Sequence, residues 1–446
     1  MKIRFVTLGC KLNFAESSAL GKVLLSRGHQ RASLSEVPDL CVVNTCSVTD
    51  AADHKDRQAI NQLHRKYPHA IIVVTGCYAQ LQPEQISHIE GVDYVLGQNE
   101  KYDIPALVDT LESRLSIPDS RFRIPDSRLP NPIRVSAIRE VDEFHGVRSG
   151  DDRTRCFIKV QDGCNYFCTY CTIPYARGKS RNPKIEEVVQ SAQEAIDQGA
   201  KELILTGVNI GDFGRSTGES FIDLLRALDN LQPLASRLSP FASRLSPLAS
   251  SYRVRISSCE PNLLTDEIID FVAQSRHFAP HFHIPLQSGS NEVLAIMKRR
   301  YTRELFAERV QHIKSVMPHA FIGVDCMVGV RGETQEYWQD YLSFVKGLDV
   351  SQLHVFTYSE RANTRMLDMD LYVVPKVERQ RRSKILHQVS EEKTRAFYEQ
   401  HAGRRAVVLW ESKREGDQMS GFTDNYIKVY APYQKEKVNT FEEVVI

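Results

Sequence analysis

Residues 156–171 read Cys156-Phe157-Ile158-Lys159-Val160-Gln161-Asp162-Gly163-Cys164-Asn165-Tyr166-Phe167-Cys168-Thr169-Tyr170-Cys171. The apolar run before Gln161 predicts a short strand, and Gln161-Asp162-Gly163 predicts a turn into a cysteine loop. Three thiolates in eight residues are one short of a structural zinc site. They are also one short of the four cysteines that usually hold a 4Fe–4S cluster, which would leave one iron open for a small molecule. Unrelated core cysteines are the alternative, and the tight spacing argues against them.

The composition is that of a soluble globular protein. The chain has 446 residues, 42% hydrophobic and 25% charged, so we expect two to four domains. No apolar run approaches 18 residues and no secretory signal begins the chain, so we expect a cytoplasmic protein without a membrane segment. The net charge of +1 means that any nucleic-acid surface must be a local patch. Ten cysteines in such a chain favour metal binding or catalysis over disulfides.

Short β-branched runs alternate with helix-like segments over residues 1–110. The predicted strands are Ile3–Leu8, Leu40–Val43, Ala70–Val74 and Val92–Leu96, and the predicted helices between them include Glu16–Arg27, Ala51–Lys66 and Pro83–Glu90. This alternation predicts a parallel, doubly wound α/β sheet.

Three cysteines follow the ends of three of these strands. They are Cys10, Cys46 and Cys77, whereas Cys41 lies within a strand and is predicted to be a core residue. The carboxyl ends of parallel strands share one crevice, where ligands bind, so these thiols are expected to converge. Zinc is the rival metal, again one ligand short.

The central part of the chain repeats the strand–helix alternation. Six predicted strands, each followed by a polar loop, indicate a full or partial (β/α) barrel whose working residues lie at the strand carboxyl ends. The strands are Phe157–Val160, Leu203–Thr206, Arg253–Ser257, His281–Pro285, Phe321–Met327 and Leu353–Val355.

The remaining segments set the predicted domain boundaries. A Pro-rich near-duplicate between Ser116 and Leu129 predicts a linker, and a second short repeat at 234–251 predicts a surface insertion without a role. A charged helix over 374–400 precedes strands at Ala406–Trp410, Met419–Thr423 and Tyr426–Tyr430, which predict a small antiparallel barrel. The domains are therefore 1–114, a linker at 115–141, a core at 142–373, and a helix with a barrel at 374–446.

These motifs together resemble the radical S-adenosylmethionine (SAM) methylthiotransferases. The resemblance rests on Cys164, Cys168 and Cys171 with Tyr170, on Gly9-Cys10, Thr45-Cys46 and Gly76-Cys77, and on a C-terminal barrel like a TRAM domain. The sequence Gly9-Cys10-Lys11-Leu12-Asn13 is similar to the branch that acts on N6-threonylcarbamoyladenosine in tRNA. Two segments depart from the family pattern: Gly329-Val330-Arg331-Gly332-Glu333-Thr334 where Gly-Phe-Pro-Gly-Glu-Thr is usual, and Ala362 where proline is common.

The resemblance implies two 4Fe–4S clusters and two SAM molecules. Cys164, Cys168 and Cys171 would hold the cluster that binds SAM and yields a 5′-deoxyadenosyl radical. Cys10, Cys46 and Cys77 would hold an auxiliary cluster that provides the sulfur, which a first SAM methylates. The radical would abstract hydrogen from carbon 2 of the adenine, and the methylthio group would replace it.

The resemblance also implies a SAM pocket. Tyr170 would pack on the adenine of SAM, Glu202 would meet its amino group, and Asn209, Ser258 and Gln287 would line the pocket. An ordinary cap or loop hydrogen bond is the alternative role for each polar residue.

The implied partner is the anticodon loop of tRNA. Lys298-Arg299-Arg300-Tyr301-Thr302-Arg303 combines charge with an aromatic ring, as phosphate contact and base stacking require. One helix carries the recurring cations Lys376, Arg379, Arg381, Arg382 and Lys384. A solvated helix face is the alternative, and it is the usual meaning of such a run. Tyr426 and Lys428 on the barrel are further candidates. An electron donor such as flavodoxin or ferredoxin and proteins that supply sulfur or clusters are also implied, and we expect a monomer.

Three other functions stay open at this level. Two are methylthiolation of isopentenyladenosine in tRNA and methylthiolation of an aspartate in a ribosomal protein. The third belongs to another class, a non-catalytic iron–sulfur protein that binds RNA.

Overall fold

The computed structural model describes residues 1–115, 132–150, 154–233 and 252–446. The Pro-rich near-duplicate and the repeat at 234–251 lie outside these ranges. The chain divides into two compact units. The first consists of residues 1–150, 163–165 and 171–179, and the second of residues 151–162, 166–170 and 180–446. The predicted division into residues 1–114, 115–141, 142–373 and 374–446 stays a prediction.

The first unit contains the predicted parallel sheet, with six strands in the order β2-β1-β3-β4-β5-β6. The strands are β1 (Lys2–Thr7), β2 (Gln30–Arg31), β3 (Leu40–Thr45), β4 (Ile71–Gly76), β5 (Tyr94–Leu96) and β6 (Ile133–Arg134). The helices of this unit are Lys11–Ser26, Asp50–Lys66, Cys77–Leu81, Pro83–Ser87, Ile104–Leu115 and Ile173–Arg177. Sequence analysis missed β2 and β6, which have two residues each, and β6 lies within the range predicted as a linker.

Both faces of this sheet are covered by apolar side chains. Leu20, Leu24 and Leu107 pack on the face that carries Val42 and Val73. On the opposite face, Ile60 and Leu63 pack with Cys41 and Val43. The doubly wound arrangement is therefore confirmed, and so is the core position of Cys41, which is fully buried.

The second unit contains six parallel strands in chain order. They are β7 (Arg155–Lys159), β8 (Glu202–Thr206), β9 (Arg253–Ile256), β10 (His281–Gln287), β11 (Phe321–Val328) and β12 (Gln352–Thr357). They form two three-stranded sheets, and bridges from Val254 to Phe278 and from Ser258 to His283 connect β9 with the β10 region. The helices of this unit are Ile185–Asp197, Phe221–Asp229, Asp266–Gln274, Asn291–Ile296, Arg303–Val316, Gln335–Gly347 and Lys376–His401.

The C-terminal strands form an antiparallel sheet of four, in the order β15-β14-β13-β16. They are β13 (Arg405–Glu415), β14 (Gln418–Thr423), β15 (Lys428–Pro432) and β16 (Phe441–Val445). The predicted antiparallel strands are confirmed, and β16 was not foreseen. Leu386 and Val389 of the preceding helix belong to the main apolar core of the second unit. Within the described ranges, no helix is both long and apolar enough to span a bilayer.

Candidate iron–sulfur sites

Cys10, Cys46 and Cys77 follow the carboxyl ends of β1, β3 and β4, which are neighbours in the sheet. Cys10 is the N-cap residue of helix Lys11–Ser26, and Cys77 is the first residue of helix Cys77–Leu81. Cys10 is exposed, whereas Cys46 and Cys77 are buried. The parallel strands therefore place all three thiols at one edge of the sheet, as the sequence predicted.

Two glycines permit the close approach of these loops. Gly9 and Gly76 have φ angles of 94° and 99°, which favour glycine. A Cβ atom on Gly9 would lie 2.5 Å from Cβ of Cys46, and one on Gly76 would lie 2.4 Å from the carbonyl oxygen of Thr45. The Gly-Cys pairs in the sequence thus reflect the packing of one cysteine loop on the next.

The three thiols are near enough to influence one another's ionisation. Burial, together with the neighbouring Cys77 and Cys10 thiols, raises the pKa of Cys46 to about 12. Burial also raises the pKa of Cys77, while Arg177 and Lys101 oppose that rise. In the described part of the chain, no three His, Cys, Asp or Glu side chains are arranged to hold a single metal ion. A cluster binds each thiolate through a different iron, so three clustered thiols with nearby cations suit it.

Sequence analysis missed the buried polar groups beside this site. Arg177 donates from Nη2 to Oδ1 of Asn13 over 2.6 Å and from Nη1 to Oε1 of Glu16 over 3.2 Å. Asn13 donates in turn to the carbonyl oxygens of Leu8 and Thr45. Asn13 was singled out only as a mark of the family branch, and no local signal connected it to Arg177.

The other three predicted ligands, Cys164, Cys168 and Cys171, are divided between the two compact units. Cys164 and Cys171 belong to the first unit, and Cys168 to the second. The backbone N–H of Cys164 donates to the carbonyl of Gly178 over 3.0 Å. Cys168 is buried, whereas Cys164 and Cys171 are partly exposed. All ten cysteines lie in the described ranges and are free thiols there.

In the second unit, the Arg299 guanidinium connects Cys168 with two other polar side chains. Its Nη1 donates to Sγ of Cys168 over 3.1 Å, and the same guanidinium forms an ion pair with Glu260. Its Nε donates to the hydroxyl of Tyr301 over 3.0 Å. Burial raises the pKa of the Cys168 thiol, and the charge of Arg299 opposes that rise. Arg299 therefore favours a thiolate at this position.

The predicted pocket residues other than Glu202 lie in the cysteine loop or at strand carboxyl ends of the second unit. The hydroxyl of Tyr170 lies 3.5 Å from Nη1 of Arg299. Asn209 follows β8, is 3% exposed, and its side-chain amide forms no hydrogen bond of ordinary geometry within the described residues. Ser258 follows β9 and bridges to His283. Gln287 ends β10 with a φ of 63°, and its buried Oε1 likewise lacks a partner in the described chain.

The structure corrects the placement of Glu202. This residue begins β8 and therefore lies at the amino end of the parallel strands, away from the end that carries Asn209. Its carboxylate is fully buried and pairs with Nε of Arg253 over 2.5 Å and with Nη2 of Arg255 over 3.1 Å. Although burial opposes it, the charges of these arginines lower the pKa of Glu202 to about 2. Glu202 is thus a structural counterion and is not placed to meet SAM.

The two basic runs are also corrected, because several of their members face the interior. In the 298–303 run, Arg299 binds Cys168 and Tyr301 is 6% exposed. On helix Lys376–His401, Arg382 is buried in an ion pair with Glu333, with Nη1 and Oε1 2.6 Å apart. Lys376, Arg381 and Lys384 of that helix are exposed.

Tyr426 is only partly exposed, and its ring packs on neighbouring side chains. It lies against Phe321 and His281, and the Arg255 guanidinium lies 4.9 Å from its ring centroid. Tyr430 is exposed instead, with Nζ of Lys428 4.6 Å from the centroid of its ring.

Two family models match the chain. Residues 2–97 match the "Uncharacterized protein family UPF0004", and residues 158–345 match the "Radical SAM superfamily". The threonylcarbamoyladenosine tRNA methylthiotransferase MtaB of Bacillus subtilis is 34% identical, covering 100% of this chain and 93% of the relative. The chain belongs to the radical SAM tRNA methylthiotransferases.

Other members of the family match at similar length. MtaB of Aquifex aeolicus is 33% identical, covering 98% of both chains. A tRNA-2-methylthio-N6-dimethylallyladenosine synthase of Pelotomaculum thermopropionicum is 30% identical over 94% of this chain and 88% of that protein. The family uses SAM and 4Fe–4S clusters, so these are the cofactors of this methylthiotransferase.

A solved structure shares the fold of this methylthiotransferase. It is the radical SAM methyltransferase TsrM of Kitasatospora setae, with a TM-score of 0.54 and 17% identity. The likeness covers 80% of this chain and 75% of TsrM. At this identity it establishes the radical SAM fold alone.

Proposed function

We propose that this methylthiotransferase adds a methylthio group to carbon 2 of N6-threonylcarbamoyladenosine next to the anticodon of tRNA. The carrying observation is that five relatives named for this substrate are 30–34% identical over 96–100% of the chain. Relatives named for dimethylallyladenosine are 27–30% identical, and they make that nucleoside the second candidate.

The six cysteines divide into two ligand sets in this proposal. Cys164, Cys168 and Cys171 hold one 4Fe–4S cluster, and Cys10, Cys46 and Cys77 hold the other. When bound, the clusters supply the electron that cleaves SAM and the sulfur that is transferred, respectively. Each set has three thiolates, which leaves a coordination position for SAM in one case and for sulfur in the other.

The chain's own side chains bind and orient the reactants. Arg299 stabilises the thiolate of Cys168 relative to the thiol through a direct hydrogen bond and so favours its binding to a cluster. Within the described residues, the buried amide of Asn209 and the buried Oε1 of Gln287 lack hydrogen-bond partners of ordinary geometry, which supports a role in binding the polar groups of SAM. Tyr170 and Ser258 complete this set. The apolar residues Val293, Met297 and Val330, against which Tyr170 packs, exclude water.

The C-terminal sheet is proposed to be a TRAM-like surface for the anticodon arm. Lys428 and Tyr430 lie together on β15, and Lys413 and Arg414 are exposed on β13. Cations beside an exposed ring suit a single-stranded RNA backbone and its bases. We further propose that the six parallel strands form a partial (β/α)6 barrel and that the protein is a cytoplasmic monomer. It would receive electrons from a flavodoxin or ferredoxin and sulfur from cluster-supply proteins.

Nucleoside mass spectrometry tests the substrate. The reconstituted protein, SAM and a strong reductant are incubated with tRNA that carries threonylcarbamoyladenosine, isopentenyladenosine or unmodified adenosine. We expect a methylthio product only from the first tRNA, and none from the Cys10→Ala variant. Equal activity on unmodified tRNA would overturn the proposal. A product from the tRNA with isopentenyladenosine (dimethylallyladenosine) alone would select the second candidate.

A further inference from the structure

Gln98 presents a buried hydrogen-bond donor to one of the thiols at the sheet edge. It follows β5, and its Nε2 donates to Sγ of Cys77 over 3.3 Å. Its side chain is almost fully buried, and its backbone N–H donates to Oε1 of Gln80 over 2.8 Å. The backbone and the side chain of Gln98 are therefore both held, and the side chain faces the ligand set proposed above.

The orientation of the Gln98 amide is determined by Lys101. Nζ of Lys101 donates to Oε1 of Gln98 over 2.5 Å. An ammonium group has no acceptor, so it must face the amide oxygen. The amide NH2 group must then face Cys77, because the two ends of the amide point in different directions.

Lys101 is in turn fixed by a buried ionic network. Its Nζ lies 2.6 Å from Oε2 of Glu16, whose other oxygen accepts from Arg177 over 3.2 Å. The side chains of Lys101, Glu16 and Arg177 are 2% exposed or less. One buried carboxylate thus pairs with two cations, and this network holds Lys101 against Gln98.

We propose that Gln98 is a positioning residue of the auxiliary cluster. Its side chain donates an N–H···S hydrogen bond to Cys77 and thereby raises the reduction potential of the cluster. The proposal rests on the ligand set Cys10, Cys46 and Cys77 given above. Adding an electron to a cluster increases the negative charge on its sulfur ligands. A donor to one of those sulfurs stabilises the reduced form more than the oxidised form.

The potential can be measured without substrate in a full-length chain whose Cys164, Cys168 and Cys171 are replaced by Ala. Gln98→Leu in that background removes the donor without adding charge, and we expect the midpoint potential to become more negative. Gln85→Leu is the matched control, because Gln85 is exposed and bonds to the hydroxyl of Tyr78 rather than to a thiol. Iron content is determined alongside. A potential that Gln98→Leu leaves unchanged at full iron content would overturn the proposal.

A second measurement needs no substitution at Gln98 and covers the case in which Gln98→Leu fails to hold iron. Pulsed electron paramagnetic resonance of the reduced auxiliary cluster, in H2O and in D2O, detects an exchangeable proton near a cluster sulfur. We expect such a proton signal, coupled to the cluster, from the Gln98 amide. If this signal is absent, the proposal for Gln98 is wrong even when the enzyme methylthiolates its tRNA. The measurement therefore tests the role of Gln98 independently of the proposed function.

Discussion

Arg299 and Cys168 are hydrogen-bonded directly, with Nη1 of the arginine 3.1 Å from Sγ of the cysteine. The same guanidinium forms an ion pair with Glu260. Burial raises the pKa of Glu260, and the charge of Arg299 opposes that rise. Hydrogen bonds to ligand sulfurs are a means by which proteins tune iron–sulfur sites. A residue that the sequence assigned to RNA phosphates therefore contacts a proposed cluster ligand instead.

Replacing Arg299 should impair the SAM-cleaving cluster. We expect Arg299→Met to lower the formation of 5′-deoxyadenosine, measured without tRNA, by about 10–100-fold, the usual cost of losing an outer-shell partner. Because this change also leaves Glu260 buried without its cation, the double variant Arg299→Met/Glu260→Gln separates the two effects. Arg300→Met is the matched control for iron content, since the Arg300 guanidinium stacks on the ring of Tyr166. A double variant with normal 5′-deoxyadenosine formation would contradict the role of Arg299.

Glu202 should matter for stability and not for SAM. Glu202→Gln leaves Arg253 and Arg255 without their buried counterion, so we expect a loss of about 3–5 kcal/mol, measured as a lower thermal midpoint. Both arginines also donate to carbonyl oxygens of the C-terminal segment, at Phe422 and Asp424. The loss should therefore loosen the packing of that segment.

SAM binding by the Glu202→Gln variant, measured by equilibrium dialysis on protein with both clusters, should equal that of the unaltered chain. The exposed Glu186→Gln provides the control, with an expected change within about 0.5 kcal/mol. Weakened SAM binding at an unchanged thermal midpoint would restore the role that the family resemblance implied for Glu202.

The sequence sufficed where the signal was local. Strands β1, β3 and β4 are apolar runs, and each Gly-Cys pair marks a turn that glycine alone permits. These features predicted both the sheet and the convergence of Cys10, Cys46 and Cys77. Strands β2 and β6 escaped because two residues carry no periodicity.

The sequence failed where function depends on which way a side chain faces. Arg299, Arg382 and Tyr426 all belong to runs that look like a basic or aromatic surface, yet each packs inward. Their partners, Glu260, Glu333 and Phe321, are distant in sequence, so no spacing rule connects them. Glu202 was misplaced for a related reason: a short motif match does not say at which end of a strand it falls.

The two sets of three cysteines should each bind half of the iron in the protein. Fully reconstituted protein should contain about eight irons per chain, and replacing Cys10, Cys46 and Cys77 with Ala should leave about four. Cys41→Ala and Cys259→Ala are the controls, because both residues are buried core cysteines. Iron that is unchanged by the triple substitution would rule out the auxiliary site, and iron that falls in the Cys41 control would point to a general effect on folding.

Glu333 should make stability depend on pH. Burial raises its pKa from 4.5 to about 7, although Arg382 acts against the rise. The folded chain therefore keeps this proton between pH 4.5 and 7, where the unfolded chain has lost it, so stability falls as the pH rises through that window. The difference is on the order of 3 kcal/mol at 1.36 kcal/mol per unit. Glu333→Gln resembles the protonated form, and Arg382 keeps a second counterion in Glu378, whose Oε1 lies 2.8 Å from its Nε. The thermal midpoint of this variant should therefore exceed that of the unaltered chain at pH 8 and approach it at pH 5. Glu336 is exposed, so the thermal midpoint of Glu336→Gln should equal that of the unaltered chain at both pH values. If the midpoint of Glu333→Gln also equalled it at both pH values, Glu333 would be ionised in the folded protein throughout this range.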